Sequence, residues 1–228
     1  MTDYVVIIPT RNRYTDCLRA IRSAFAQTLP PAEVVVVDDA STDARYEWLD
    51  EIVGNPRLTV IRRKTSSQEE TGAGFAVGTV RNTALAHVLR TDFDGWLAFL
   101  DDDDEWSPGK MLGQIEAAGY YKDVAVFSTN AFNRTPAGLI CGHHHPPHGR
   151  RLAHGCFDVT SLLKEMNPVI NSTAIIRAAA ARKLGTQRPS GFGEDHDYWR
   201  RAAILSPVFR LDEPLVFYTV GNQKEYSL

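Results

Sequence analysis

Short apolar runs alternate with helical patterns through the first hundred residues, and this alternation restricts the fold more than any other feature. The runs cover residues 4–8, 33–37, 58–62 and 96–100, and apolar residues at helical spacing lie between them. Strands that alternate with helices in this way form a parallel sheet with helices on both faces. The sequence therefore predicts an α/β fold with a mostly parallel sheet flanked by helices.

Capping residues and spacing place the helices between these runs. A first helix is predicted after an N-cap at Thr15 or Asp16. Further helices are predicted over residues 41–52 and 79–89, and the polar residues 65–78 are interpreted as a loop. The sheet therefore has helical crossovers throughout its first half.

The second half of the chain is less regular. Strands are predicted over residues 124–129, 172–176 and 215–220, and helices over residues 178–184 and 197–205. Gly185 is the expected C-cap of the first of these helices. Because neither a linker nor an internal repeat separates the halves, we expect one domain over residues 1–228.

Composition excludes several classes of protein. The chain has 228 residues, of which 43% are hydrophobic and 23% charged, with a net charge of −3 and three cysteines. These values argue against a disordered chain, a disulfide scaffold and a basic nucleic-acid coat. The sequence shows neither an 18-residue apolar stretch nor a signal peptide, so we expect a cytoplasmic protein without a transmembrane segment.

Acidic residues directly follow two of the four runs. Asp38 and Asp39 follow the run 33–37, and Asp101 to Asp104 follow the run 96–100. Ligands of parallel sheets bind outside the carboxyl ends of the strands. Burial would raise the pKa values of four adjacent carboxylates, and a divalent cation with oxygen ligands, Mg²⁺ or Mn²⁺, would remove that cost. A solvated acidic turn is the alternative interpretation.

Two other acidic groups admit both a structural and a functional interpretation. Asp39, in VVVVDDAST, can accept hydrogen bonds from a uracil imide or ribose hydroxyls, or it can cap a helix. Glu194 and Asp195, in GFGEDHDYW, stand at the start of an amphipathic helix, where acids interact favourably with the helix dipole. As functional groups they would supply a general base.

Six motifs follow one another along the chain: VVIIPTRNR, VVVVDDAST, GTVRNTALAHV, FLDDDDEWSPGK, NSTAIIR and GFGEDHDYWRRA. In this order they resemble the motifs of the family 2 glycosyltransferases with the GT-A fold, and the resemblance runs from about residue 3 to residue 220. It implies a single GT-A-like domain. Residues 1–104 would form the nucleotide-sugar-binding half, and residues 105–228 the acceptor-side half with the catalytic base.

The resemblance also implies roles for residues at the sheet edge. The base and ribose would lie over the turn after the first strand, which contains Pro9, Thr10, Arg11 and Arg13. Asp39 would hydrogen-bond the base. Arg81 would face the diphosphate, with a structural salt bridge as the alternative.

The acidic run corresponds to the metal-binding DxD region of the family. Asp103 is the expected direct metal ligand. Asp101 or Asp102 would hold the ribose or a metal-bound water, and Asp101 is the expected second residue at the metal. Asp104 is expected to be a helix cap only.

The implied reaction is a single displacement with inversion at the anomeric carbon. A bound metal would stabilise the departing nucleoside diphosphate. Asp195, rather than Glu194, would take the proton of the acceptor hydroxyl, shielded in part by Trp199 and Phe192.

A UDP-sugar is the expected donor, with guanine and thymine nucleotides left open. The acceptor stays open among a saccharide, lipid-linked glycan, protein, metabolite and modified base, and a homodimer or partner subunit is compatible with the sequence.

Two alternative functions are weighed against this one. A sugar nucleotidyltransferase on a similar scaffold would need a glycine- and lysine-rich phosphate loop after the first strand, and PTRNR is not such a loop. A non-catalytic nucleotide- or glycan-binding module would not need the ED and DDDD motifs, which are both present.

Two segments depart from the family pattern. The loop CGHHHPPHG contains His143, His144, His145 and His148. We interpret it as an exposed acceptor-side loop, with contact to phosphate, the metal or adventitious zinc as the alternative. In YTVGNQ, residues 218–223, Gly221 or Asn222 stands where the family often has a histidine, so no C-terminal metal or phosphate contact is assigned.

Overall fold

The computed structural model describes residues 3–72, 74–135, 140–143, 149–189 and 193–220, with the backbone alone at residues 52 and 141–143. In chain order the strands are β1 (Tyr4–Thr10), β2 (Glu33–Asp38), β3 (Leu58–Arg62), β4 (Trp96–Phe99), β5 (Glu105–Trp106), β6 (Val126–Arg134), β7 (Ile140–His143), β8 (Arg150–Arg151), β9 (Cys156–Asp158), β10 (Ile175–Arg177) and β11 (Val208–Thr219). The helices are α1 (Tyr14–Phe25), α2 (Leu49–Val53), α3 (Ser67–Thr71), α4 (Val77–Leu89), α5 (Lys110–Tyr120), α6 (Ala178–Leu184) and α7 (Glu194–Leu205). Short 3-10 helices cover Ala44–Trp48, Leu162–Lys164 and Asn171–Thr173.

The described strands form one mixed sheet in the order β3–β2–β1–β4–β10–β6–β11–β9–β8. The four strands β1 to β4 pair in parallel, and β10 runs antiparallel between β4 and β6. β11 is parallel to β6. Six strands, β3, β2, β1, β4, β6 and β11, therefore end at the same edge, which we call the carboxyl edge. The predicted mostly parallel sheet with flanking helices is confirmed.

Successive side chains of β1 enter two separate hydrophobic cores. Val6 and Ile8 pack in the core that contains α1 and α5. Val5 and Ile7 pack in the core that contains α4, α6 and α7. Because helices cover both faces of the strand, its sequence is continuously apolar instead of alternating with polar residues.

The predicted strands over 33–37 and 58–62 match β2 and β3, and the helix over 178–184 with its Gly185 C-cap matches α6. The predicted helix over 41–52 is wrong in detail. Asp43 accepts a hydrogen bond from the Arg45 backbone N–H and starts a 3-10 helix, and α2 follows as a separate short helix. The local hydrogen bond of Asp43 competes with a continuous α-helix here.

Three helix starts differ from the sequence-based prediction. α1 begins at Tyr14, before the expected cap, and Arg13 is the N-cap. The expected loop 65–78 contains α3, whose capping box joins Ser66 and Glu69. α7 begins at Glu194 and not at 197, because Gly193 takes the left-handed conformation that starts the helix, with φ of 71°.

The later strands also differ in extent from the prediction. β11 begins at Val208, seven residues before the predicted 215, and its register shifts on both sides of Pro214. This charged and proline-interrupted stretch lacks the apolar pattern of a buried strand. The strand predicted over 172–176 begins three residues later, after a 3-10 helix.

Several predicted features fall outside the described residues. They are His144, His145, His148 and the side chain of His143, together with Phe192, Gly221 and Asn222. Within the ranges that the structure does describe, none of the helices is both long and apolar enough to cross a membrane.

Gly78, in the first turn of α4, allows close packing against the segment before α7. A Cβ atom at Gly78 would lie 2.0 Å from the backbone oxygen of Arg188. We expect Gly78→Ala to destabilise the fold by about 1–3 kcal/mol, because backbone must move to relieve the overlap. Thermal or urea unfolding measures this loss.

Gly119→Ala is the matched control. Gly119 lies in α5 with no atom within 4 Å of an added Cβ. This substitution should stabilise the helix by a few tenths up to about 1 kcal/mol. Equal stability changes in the two variants would contradict the close contact at Gly78.

Candidate active site

The acidic turn, Asp101–Asp104, follows β4 at the carboxyl edge, and its first three carboxylates reach different partners. Arg81 Nη2 donates to Asp101 Oδ1 at 2.6 Å. Thr10 Oγ1 donates to Asp102 Oδ2 at 2.8 Å. Arg13 Nη1 donates to Asp103 Oδ2 at 2.7 Å and lies 3.4 Å from Asp102 Oδ1. Asp101 is therefore paired with Arg81, whereas Asp102 and Asp103 share Arg13 and Asp102 also accepts from Thr10.

Asp104 has a structural role that differs from the predicted helix cap. Its Oδ1 accepts a hydrogen bond of 2.7 Å from the backbone N–H of Thr219, near the end of β11. The side chain is fully buried. The prediction that Asp104 caps a helix is thus wrong, and the residue joins the acidic turn to β11.

Burial and like charges disfavour the ionised forms of the acidic turn. Burial, followed by the neighbouring Asp103 charge, raises the pKa of Asp102 to about 7 against the opposing effect of Arg13. Burial and then Asp101 raise the pKa of Asp103. Burial also raises the pKa of Asp104 well above its ordinary value. An added cation would relieve this electrostatic cost.

The donor groups of the acidic turn suit a divalent cation that also binds phosphate. In the described part of the chain, no three His, Cys, Asp or Glu residues are grouped to hold a metal by themselves. Asp101 and Asp103 have side chains that are 26% and 32% exposed. Mg²⁺ sites commonly use one or two carboxylates and take the other ligands from water and substrate phosphates. These two carboxylates fit that type of site.

The buried guanidinium of Arg81 connects the acidic turn to α7. Its Nη1 donates to Glu194 Oε1 at 2.8 Å, opposite the 2.6 Å contact of Nη2 with Asp101. The Arg81 side chain is only 3% exposed. Burial by itself would lower the pKa of Arg81, but the two carboxylates more than offset this effect and keep the group charged. This is the geometry of the salt-bridge alternative, while contact with a diphosphate stays a prediction.

Glu194 and Asp195 occupy different environments in the first turn of α7. Glu194 is buried and held by Arg81, whereas Asp195 is half-buried. Asp195 Oδ2 accepts from Asn167 Nδ2 at 3.0 Å, and its Oδ1 accepts from the His196 backbone N–H at 2.7 Å. Burial raises the pKa of Asp195, against the Arg81 charge and these two donors. Asp195 is thus the more accessible acid and the better candidate for a base.

The turn after β1 borders a cavity beside the acidic turn. Pro9 is paired within the sheet, and Thr10 is buried between Asp102 and the hydroxyl of Tyr46, which lies 2.6 Å from Thr10 Oγ1. The cavity has a volume of about 220 Å³ and is lined by Arg11, Asn12, Arg13, Phe75 and Asp102. It is a partly open space at the predicted nucleotide side, with four polar or charged lining residues and one aromatic wall.

Asp39 is fully buried and holds the start of α3. Its two oxygens accept from the backbone N–H and hydroxyl of Ser67 at 2.7–3.1 Å, and Arg63 Nε lies 3.0 Å from Oδ1. Arg11 Nη1 lies 3.9 Å from Oδ2. The nucleobase contact of Asp39 stays a prediction, and these neighbours would compete with it.

Sequence reasoning did not find Asn12, Tyr46, Phe75 or Asn167. Tyr46 reaches Thr10 from a 3-10 helix that the sequence pattern did not indicate. Asn167 precedes a proline, which is a turn signal. That signal predicts a loop but does not reveal that Asp195 lies opposite the amide.

We expect Arg81→Met to destabilise the chain by about 3–5 kcal/mol, because two carboxylates lose their buried cation. Chemical denaturation gives the free energy of unfolding. The loss should shrink when Glu194→Gln is present, since the two residues are in direct contact.

The exposed pair Arg45–Asp43 is a control for the loss of an arginine. Its atoms lie 2.6 Å apart, but the Arg45 side chain is 60% exposed. Arg45→Met should cost far less stability than Arg81→Met, because water screens an exposed ion pair. A comparable loss in Arg81→Met would contradict a buried bridge.

The raised pKa of Asp102 predicts a stability that depends on pH. Its pKa is about 7 in the folded chain and near 3.8 when unfolded. Between these values the folded state binds the extra proton, so ionised Asp102 lowers stability at pH 8 and this cost fades as the pH falls. We expect Asp102→Asn to raise the free energy of unfolding by roughly 1–3 kcal/mol at pH 8 and by less at pH 5. Urea titrations without metal or nucleotide at both pH values provide the measurement, and a larger gain at pH 5 would reverse the assigned direction.

Known proteins share both the sequence pattern and the fold described above. The profile of Glycosyl transferase family 2 matches residues 5–152. The succinoglycan biosynthesis protein ExoW of Rhizobium meliloti (strain 1021) is 38% identical over 124 residues, which make up 51% of this chain and 34% of ExoW. The chain therefore spans about a third of the length of that relative.

Solved structures of S. aureus TarS 1–349 share the fold at 22% sequence identity. The complex with UDP gives a TM-score of 0.72 and covers 96% of this chain and 60% of TarS 1–349. The complex with UDP-GlcNAc gives a TM-score of 0.71 and covers 99% of this chain and 61% of the other. Together with the profile match over most of the chain, these similarities show that the protein belongs to glycosyl transferase family 2 and has its GT-A fold.

Proposed function

We propose that the protein is an inverting, metal-dependent glycosyltransferase that moves a sugar from a UDP-sugar to an acceptor hydroxyl. The observation that carries this proposal is the buried Arg81 bridge, which holds the acidic turn and the first turn of α7 against each other. A phosphate-binding group and a general base are needed on opposite sides of the reacting anomeric carbon. The bridge brings candidates for both to one edge of the sheet.

The nucleotide would bind in the half formed by residues 1–104. The cavity beside Arg11, Arg13 and Phe75 offers cations for phosphate and an aromatic ring for the base or ribose. Arg13 contacts Asp103 through an arginine side chain that is 54% exposed, so this cation can turn towards a bound diphosphate. Family membership and the UDP complexes of TarS favour a UDP-sugar as the donor.

Asp103 and Asp101 would hold the cation, since they are the exposed carboxylates of the acidic turn. When bound, Mg²⁺ or Mn²⁺ supplies Lewis-acid stabilisation of the negative charge on the leaving diphosphate. Asp102, buried against Thr10, would then support the turn and face the ribose side.

Asp195 would act as the general base in the half formed by residues 105–228. Its carboxylate takes the proton of the acceptor hydroxyl while that oxygen bonds to the anomeric carbon. The bond between this carbon and the diphosphate oxygen breaks in the same displacement, with the electron pair leaving on UDP. Of these two adjacent acids Glu194 is engaged by Arg81, so Asp195 would act alone and the configuration would invert.

The similarity to ExoW, a succinoglycan biosynthesis protein, favours a saccharide hydroxyl as the acceptor. We place the reaction in the cytoplasm, in keeping with the absence of a membrane-spanning helix among the described residues. Leu163 and Asn167 contact the first turn of α7, and the segment that contains them would contribute to acceptor choice.

Asp195→Asn tests the proposed base. Release of UDP from UDP-glucose, UDP-galactose and UDP-GlcNAc is measured with Mn²⁺ or Mg²⁺ and water as the acceptor. We expect a decrease of about 10²–10⁴-fold, because the variant cannot take the proton. Thermal stabilisation by UDP should persist, since the nucleotide half is unchanged.

Asp197→Asn is the matched control on the same helix. Asp197 pairs with Arg188 and Arg201, away from the acidic turn, and its loss should leave UDP release intact. Near-wild-type release by Asp195→Asn would exclude Asp195 as the base. An inert wild-type protein with all three donors and both metals would contradict the proposed function itself.

A further inference from the structure

The segment around the 3-10 helix Leu162–Lys164 contacts the first turn of α7 through two consecutive α7 residues, Asp195 and His196. Asn167 Nδ2 donates to Asp195 Oδ2 at 3.0 Å. The neighbouring His196 places Nε2 3.0 Å from the backbone oxygen of Leu163, so this nitrogen carries the proton. The segment of residues 160–170, which we call the 160–170 loop, is therefore held against the proposed base.

Hydrogen bonding determines the orientation of the Asn167 amide. Its Oδ1 accepts from the backbone N–H of Val169 at 3.2 Å, which leaves Nδ2 to face Asp195. Val169 is fully buried in the core, and Pro168 between the two residues is also buried. The amide is thus anchored at its oxygen and presents only a donor to the carboxylate.

The contact with Asn167 leaves room on the carboxylate for a substrate. Asp195 Oδ1 accepts from the His196 backbone N–H and Oδ2 accepts from Asn167. Each carboxylate oxygen can accept about two hydrogen bonds, so both oxygens retain acceptor capacity. Two donors, one on each oxygen, restrict the rotation of the carboxylate group.

We propose that Asn167 is a positioning residue for Asp195, which holds the carboxylate ionised and oriented towards the acceptor hydroxyl. This inference rests on the proposed function, in which Asp195 is the base. It assigns to the 160–170 loop a direct effect on the ionisation and orientation of the base, in addition to a role in acceptor binding. A movement of this loop on acceptor binding would change the geometry of the base.

Charged groups from three elements also face Asp195. Arg81 on α4 favours its ionised form, and Asp101 in the acidic turn opposes it. Glu194 is a like charge on the same helix, and His196 is directed to Leu163. Asn167 is an uncharged side-chain donor, and its hydrogen bond lowers the pKa of Asp195, which burial raises. Its removal should therefore make Asp195 harder to ionise.

Asn167→Asp is the most informative substitution, because its oxygen can still accept from the Val169 N–H while the donor to Asp195 is lost. Asn167→Ala removes the donor without adding a charge. The titration of Asp195 is followed by NMR of side-chain ¹³C-carboxyl labels, with Asp195→Asn for assignment. We expect the apparent pKa of Asp195 to rise by about one pH unit or more in Asn167→Asp and by roughly half a unit in Asn167→Ala.

The second measurement is the pH profile of UDP release from the donors named above. The acidic limb of the kcat profile should move to higher pH in both variants, and further in Asn167→Asp than in Asn167→Ala. At pH 7 kcat should fall about tenfold or more, because the base is misoriented. KM for the UDP-sugar should stay within about twofold, because Asn167 lies outside the nucleotide half.

Asn55→Asp is the matched control. Asn55 forms the same type of turn, in which Oδ1 accepts from the backbone N–H of Arg57 at 3.0 Å. It should leave the titration of Asp195 and the profile unchanged. An unshifted Asp195 pKa in Asn167→Asp would overturn the proposal, and so would a shifted pKa with unchanged kcat. If the wild type releases no UDP, the proposed function fails, whereas the NMR titration still decides whether Asn167 controls Asp195.

Discussion

The buried guanidinium of Arg81 is the interaction on which the arrangement of the site depends. Burying a charged group is costly unless opposite charges lie in direct contact. Asp101 and Glu194 meet this requirement from opposite sides, at 2.6 and 2.8 Å. Asp101 follows the central strand β4, and Glu194 is the first residue of α7. The bridge therefore fixes the distance between the two halves of the chain at the carboxyl edge.

The other charged groups of the site lie on the two sides of the Arg81 bridge. Arg81 pairs with Asp101, whereas Arg13 contacts both Asp103 and Asp102, and Thr10 donates to Asp102. On the other side of the bridge, Glu194 is engaged and Asp195 is left half-buried. In the proposed mechanism, this buried arginine would stand between the acids on the phosphate side and the base on the acceptor side.

The sequence predicts the four parallel strands β1 to β4 and the acids at their carboxyl ends, but not the contacts that these acids make. The continuous apolar runs before Asp38 and Asp101 predicted buried parallel strands, and their order predicted acids at one edge. The partnership of Arg81 with Glu194 spans 113 residues and has no local pattern. α3 was missed because its capping box lies in a polar segment without apolar periodicity, and Asn167 because its partner is set by tertiary packing.

The central claim is that a nucleoside diphosphate binds at the acidic turn, with its diphosphate on the side that faces Asp195. Anomalous diffraction from crystals grown with UDP and Mn²⁺ tests it most directly. The account predicts one strong manganese peak at the Asp103 carboxylate, shared with the diphosphate of UDP, on the side of the acidic turn that faces the first turn of α7. Manganese or UDP bound away from the acidic turn, or a diphosphate on the side opposite α7, would contradict it.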